Sequence, residues 1–161
     1  MEKQEILNRK ILLTREELSR KVAYWNFKNR DIVALYGSFD VFHPSVFKLI
    51  NYAAEKGKEL VVGIKPDAEI KNEKGPKFPV YNQDIRSKMV ASHQFVSAVY
   101  ICNEGLDDFL RLVKPTVASC CKHASKNDQK GLEIVKEWNG KVSIFTGSDT
   151  SVDDIISKYK E

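Results

Sequence analysis

The chain has 161 residues, 42% of them hydrophobic and 30% charged, with a formal net charge of +4. That length fits one domain with a core of its own. The composition excludes a disordered tail or a collagen-like repeat, and the charge is too slight to argue for nucleic acid. Three cysteines, Cys102, Cys120 and Cys121, form neither a paired framework nor a C-x-x-C metal motif, which suggests a reducing compartment. The first ten residues lack the apolar run of a signal peptide, and no stretch is apolar enough to span a bilayer. A cytoplasmic protein without a membrane partner is expected.

Along the chain, Thr14-Arg15-Glu16-Glu17 has capping-box form and opens a helix with Leu18, Val22 and Trp25 on one face. Residues 1–30 therefore read as a helical N-terminal extension of a single domain. Asp31–Tyr36 is a short apolar run, read as a buried strand. Gly37–His43 is a loop, and Pro44 suits the first position of a helix running to about Lys56, with Gly57 as its cap. Glu59–Ile64 is the second strand, followed by a polar loop over Lys65–Lys77. A helix is expected at Asn82–Ser92, a strand at Val96–Cys102, a helix at Leu106–Val113 and a strand at Thr116–Cys120. After a polar loop over Lys122–Gln129 come a helix at Gly131–Trp138, a fifth strand at Lys141–Phe145 and a closing helix at Ser151–Tyr159. Strands spaced by helices predict an α/β, Rossmann-like parallel five-stranded sheet with helices on both faces.

In such sheets ligands bind beyond the carboxyl ends of the strands, where strand order reverses. The loop Gly37-Ser38-Phe39-Asp40-Val41-Phe42-His43 follows the first strand. Gly37 allows a tight turn and close approach of a ligand to the backbone, and His43 begins a helix whose free N–H groups favour an anion. Lys48 stands about one turn further on. Together these residues make a candidate phosphate cradle. The plain alternative is that His43 only caps the helix.

The run Leu35–Ala54, LYGSFDVFHPSVFKLINYAA, resembles the signature of the cytidylyltransferase-like nucleotidyltransferases, a Gly-x-Phe-Asp stretch followed by His-x-Gly-His and a basic residue. The resemblance continues through Val61-Val62-Gly63-Ile64 with Asp67, Lys74-Gly75-Pro76, Pro79-Val80, Arg86, Lys114-Pro115 and residues 147–156. The opening segment with its Thr-Arg-Glu-Glu-Leu helix and Trp25 resembles one subgroup, the adenylyltransferase domain of ADP-heptose synthases. That subgroup acts on D-glycero-β-D-manno-heptose 1-phosphate.

The resemblance implies transfer of a nucleotidyl group from an NTP, ATP or CTP, to a small phosphorylated acceptor such as a sugar phosphate, with release of pyrophosphate. It implies His43 and Lys48 as catalytic holders of the phosphates, and Gly37, Ser38 and Phe39 as the floor under the nucleotide. Lys74 closes over the phosphates, Arg86 orients the triphosphate or the loop, and Thr150 and Ser151 donate to a phosphate. Mg²⁺ accompanies the NTP with no metal site of the protein's own, and a homodimer is implied. Simpler roles stand beside these: Lys74 as a surface lysine, Arg86 as a partner of a carboxylate, Thr150 and Ser151 as helix caps.

The family's second histidine is replaced by Val46 and its glycine by Ser45. Lys-Gly-Gly-Asp becomes Cys120-Cys121-Lys122-His123, an arginine becomes Phe78, an aspartate becomes Ile85, and the closing motif is kept in part as Asp149-Thr150-Ser151. Val46 with Leu49, Ile50 and Ala53 has the spacing of a buried helix face. These departures imply reduced activity. The alternative is a catalytically inactive nucleotide-binding or regulatory protein on the same fold.

Overall fold

The structure is a computed structural model, and it describes residues 3–147. Helix α1 (Lys3–Asn8) and the two-residue strand β1 (Ile11–Leu12) lead into α2 (Arg15–Phe27). The capping box forms as its sequence requires: the Thr14 side chain accepts from the Glu17 N–H, and the Glu17 carboxylate accepts from the Thr14 N–H. Leu18, Val22 and Trp25 are all buried.

The α/β alternation continues with β2 (Ile32–Gly37), α3 (Pro44–Ala54), β3 (Glu59–Ile64), α4 (Asp67–Lys74), α5 (Gln83–Ala91) and β4 (Ala98–Ile101). It ends in α6 (Leu106–Val113), β5 (Val117–Cys121), α7 (Lys126–Gly131), a 3₁₀ helix (Leu132–Trp138) and β6 (Lys141–Phe145). All pairs are parallel, in the order β1-β4-β3-β2-β5-β6. The chain steps outward from β2 through β3 to β4, then returns to lay β5 and β6 on the other side of β2. Strand order therefore reverses between β2 and β5, and both strands end at that crevice.

Alternation along β2 sorts its side chains onto two faces. Ala34 and Tyr36 join a core with Trp25, Phe109 and Leu132. Val33 and Leu35 join one with Phe39, Val46, Ile50 and Val90. Helix α3 covers the second face, and α2, α6 and the 3₁₀ helix cover the first. β2 and β3 are buried almost throughout, as strands covered on both sides must be.

Four details depart from the sequence expectation. The sheet has six strands rather than five, because Ile11–Leu12 pairs with Val99 and Tyr100 at the edge. Two residues are too few to show a periodicity, and residues 1–30 thus supply a strand as well as helices. Residues within Lys65–Lys77 form α4, a helix almost entirely polar and anchored by Ile70 alone among its buried side chains. The expected helix over Gly131–Trp138 is a 3₁₀ helix from Leu132, preceded by α7 inside the expected loop. Helix α3 ends at Ala54 with Glu55 as its cap, so Gly57 caps nothing. Gly57 is required for another reason: a Cβ there would stand 2.7 Å from Val33 Cγ2.

Candidate nucleotide-phosphate site

Gly37 is the last residue of β2, and its carbonyl accepts from the Lys65 N–H at 3.0 Å, extending the ladder one step past β3. The tight turn does not come from Gly37 itself. Phe39 takes the left-handed conformation, with φ 50°, and its buried ring lies 3.2 Å from where a Gly37 Cβ would be. A non-glycine residue held there costs about 1 kcal/mol, offset by burial of the ring.

Asp40 is buried and accepts from the backbone N–H groups of Val80 at 2.8 Å and Tyr81 at 2.9 Å. It ties the loop after β2 to the segment that enters α5. Asn82 caps α5 through the Ile85 N–H.

His43 is the N-cap of α3, its Nδ1 accepting from the Ser45 N–H at 3.3 Å. Capping and phosphate binding are compatible, since a ring whose Nδ1 accepts carries its proton on Nε2 and can donate from there. Burial pulls the imidazole pKa below its ordinary value, which keeps this neutral form at neutral pH. Pro44 lacks an N–H, and the Val46 N–H goes to the His43 carbonyl at 2.9 Å. The Nε2–H of His43 is thus a side-chain donor that this turn adds to its backbone. Lys48 is exposed on α3. Val46 is buried against β2 with Leu49 and Ile50, as its spacing predicts.

Arg86 is fully buried, and all its nitrogens are engaged. Nε donates to the Tyr81 carbonyl at 3.0 Å and Nη1 to the Ser38 carbonyl at 2.5 Å. Nη2 donates to the Lys65 carbonyl at 2.8 Å and to Asp67 Oδ1 at 2.7 Å. Arg86 therefore joins three loops, those after β2, after β3 and before α5. It acts on the Ser38 loop from beneath. Lys74 is exposed in the last turn of α4, not on a loop, with its ammonium 6.0 Å from the Phe78 ring. Thr150 and Ser151 lie outside the described residues.

Sequence reasoning missed Lys65. It is buried, yet its ammonium meets Glu73 at 2.6 Å, Asp128 at 2.8 Å and Glu69 at 3.5 Å, and lies 5.7 Å from the Tyr36 ring. Burial by itself lowers the ammonium pKa, but hydrogen bonds to Asp128 and Glu73 outweigh it and hold Lys65 charged. The Tyr36 hydroxyl donates to Glu69 at 3.2 Å, and burial, then Glu69, pushes its pKa well up. Glu69, Glu73 and Asp128 are also the one group of potential metal ligands among the described residues, and Lys65 stands within it. The available signal was a lone lysine directly after the apolar run Leu60–Ile64, followed at i+4 and i+8 by glutamates. Asp128 could not be linked to it from sequence.

Comparison with known proteins follows the same lines. Residues 34–160 match the family described as cytidylyltransferase-like. The bifunctional protein HldE of Gluconobacter oxydans is 28% identical over 140 residues, covering 86% of this chain and 29% of its own. That of Rhodopseudomonas palustris is 30% identical over 158 residues, covering 94% of this chain and 31% of its own. This chain spans less than a third of the length of these relatives. Among solved structures, a lipopolysaccharide core biosynthesis protein from Thermoplasma volcanium superposes with a TM-score of 0.63 at 20% identity, over 76% of this chain and 99% of that one. A pantoate–β-alanine ligase from Francisella tularensis, complexed with β,γ-ATP and β-alanine, gives 0.61 at 12% identity, over 87% of this chain and 67% of that one. Both share the fold. No helix among the described residues is long and apolar enough to cross a membrane. The chain belongs to the cytidylyltransferase-like family.

Proposed function

We propose that the chain binds an NTP, ATP or CTP, at the loop after β2 and transfers its nucleotidyl group to a sugar phosphate, more slowly than a site with two histidines. The observation that carries this reading is the His43 ring, fixed as the α3 cap through Nδ1, which leaves Nε2 to carry the proton. In the reaction an acceptor phosphate oxygen attacks the α-phosphorus in line, the bond to the bridging oxygen breaks, and pyrophosphate leaves. The protein's task is positioning and charge stabilisation.

Nε2–H of His43 donates to the triphosphate, Lys48 adds a cation on the same helix, and Lys74 approaches from the end of α4. Mg²⁺ brought in with the NTP would neutralise part of the triphosphate charge, alongside His43 and Lys48. Arg86 keeps the Ser38 backbone at the depth the nucleotide needs. Absence of the second imidazole at Val46 removes one donor to developing charge, roughly a hundredfold in rate. The resemblance also implies a homodimer, which sedimentation equilibrium measures directly.

The test is Mg²⁺-dependent pyrophosphate release with ATP and CTP against sugar and polyol phosphates, in wild type and Val46→His. Slow release by wild type supports the reading. Failure to bind any NTP refutes it.

A second reading, nucleotide binding without turnover, is favoured by the burial of Val46 in the core and by the four bonds that already occupy Arg86. Binding of NTP with no release in either protein, whatever the acceptor, selects it.

A further inference from the structure

The strand order leaves β1 at one edge of the sheet, with β4 and β3 between it and β2. The Val99 N–H donates to the Lys10 carbonyl at 2.7 Å, and Val99 stands opposite Ile11. In a parallel pair, the residue opposite one bonded in this way turns its own N–H and C=O outward. Ile11 therefore presents both groups to the open edge. The next outward donor along the chain, the Leu13 N–H, is closed by Glu17 Oε2 at 2.6 Å.

Beside that edge lies a groove of about 460 Å³ between α2 and the segment from α1 to β1. Glu17, Arg20, Lys21 and Tyr24 line it from one face of α2, with the spacing i, i+3, i+4, i+7. Three cations, Arg9, Arg20 and Lys21, stand against the single carboxylate of Glu17. That carboxylate already accepts from the N–H groups of Leu13 and Thr14. Arg9 pairs with Glu5 at the surface, whereas Arg20 and Lys21 form no ion pair among the described residues. Tyr24 is exposed, and Lys21 keeps its ammonium 5.9 Å from the buried Trp25 ring.

The groove thus joins an open strand edge, an excess of positive charge and an aromatic wall. A small anion answers the cations alone and leaves the Ile11 carbonyl to water. An extended acidic chain answers all three: its backbone pairs with Ile11, its carboxylates meet Arg20 and Lys21, and its apolar side chains cover Tyr24. We propose that β1 and the adjoining face of α2 dock an extended acidic segment of another protein, which adds to the sheet edge as a further strand. With Ile11 alone open, the backbone bonds set register and the charged contacts select the partner. The site is remote from the crevice between β2 and β5, so the proposal does not rest on nucleotide transfer.

The experiment is fluorescence anisotropy at physiological salt with a labelled peptide of alternating glutamate and valine. Two controls are its lysine–valine counterpart and the acidic peptide methylated at every backbone nitrogen. Wild type is expected to bind the acidic peptide at least about tenfold more tightly than either control. Arg20→Glu should weaken that binding about tenfold. Lys141→Glu makes the same change in net charge at the opposite edge strand, β6, and should leave binding within about twofold. Ile11→Pro removes the outward N–H, keeps the bond from Val99 to Lys10 and should weaken binding roughly fivefold. Equal losses in Arg20→Glu and Lys141→Glu overturn the proposal, because attraction to the whole charged chain would then suffice. Equal binding of the methylated peptide overturns it as well, since an anion site without strand addition explains that result. So does a wild type that binds no acidic peptide. Should Ile11→Pro fail to fold, Arg20→Glu and the methylated peptide decide the matter.

Discussion

Replacing Arg86 with methionine keeps the apolar stem and removes the guanidinium. Three backbone carbonyls, of Ser38, Lys65 and Tyr81, then lose a charged donor, and Asp67 loses its ion-pair partner. The Asp67 side chain is 28% exposed and regains water, so its loss counts for little. Each carbonyl left unpaired under the loops costs about 1–2 kcal/mol, and the three together roughly 3–5 kcal/mol. For a domain of this size that is about 8–15 °C in Tm. The assay is urea denaturation followed by tryptophan fluorescence, with ΔG and m compared between variants. Arg86→Lys should recover less than half of the loss, because one ammonium cannot reach three divergent carbonyls. A loss below about 1 kcal/mol in Arg86→Met would refute the reasoning. So would an Arg86→Lys protein of wild-type stability that had lost only nucleotide affinity, for then the guanidinium would serve the ligand and not the loops.

His43→Asn separates capping from catalysis: asparagine caps as well as any residue, so stability should stay within about 0.5 kcal/mol while pyrophosphate release falls roughly a hundredfold. His43→Ala should lose the same activity and about 1 kcal/mol of stability besides, read by thermal denaturation. Burial lowers the pKa of His43, and burial with Lys10 lowers that of His93. Between the folded and unfolded values the unfolded chain binds more protons, so stability is full above the ordinary imidazole value of 6.5 and falls as pH drops below it. A Tm that rises on acidification from pH 7 to 5 would contradict this. Asp40→Asn leaves one oxygen to accept from two backbone N–H groups and should cost about 1–2 kcal/mol, with weaker NTP binding measured by titration.

What was legible in the sequence followed from local rules. The capping box at Thr14, the apolar runs of β2 and β3 and the amphipathic face of α6 each carry their structure within a few residues. The parallel pairing of the strands was implied by the helices between them, and the loop after β2 was singled out as the candidate site. What was hidden depends on partners remote in sequence. β1 exists only because β4 lies beside it, and α4 is too polar to show a buried face. For Arg86 the sequence reading offered the loop and a carboxylate, and both are met at Ser38 and Asp67, but its full burial was hidden because three of its four partners are backbone carbonyls, which every residue has. Gly37 was credited with a turn that Phe39 makes, since a buried aromatic ring stabilised the left-handed conformation that sequence rules give to glycine.

The departures from the family pattern fall in two places with different physical consequences. Val46 belongs to the packing beneath the phosphate loop, as does Arg86, which the family pattern keeps. There the chain keeps the loop's shape through Asp40, Arg86 and the His43 cap, and gives up one imidazole. At the carboxyl end of β5, where the family pattern has Lys-Gly-Gly-Asp, stand Cys120, buried, and Cys121, half-buried, and burial raises the Cys120 thiol to about 12. A protonated thiol supplies neither charge nor a strong donor. Lys65 reaches toward this region from β3 but spends its charge on three carboxylates. Lys65 therefore does not replace the lost lysine. If a phosphate were needed on that side, Lys65 would have to release Asp128 and Glu73 first, leaving three carboxylates without their cation. The three carboxylates beside Lys65 therefore disfavour an anionic group on that side of β2.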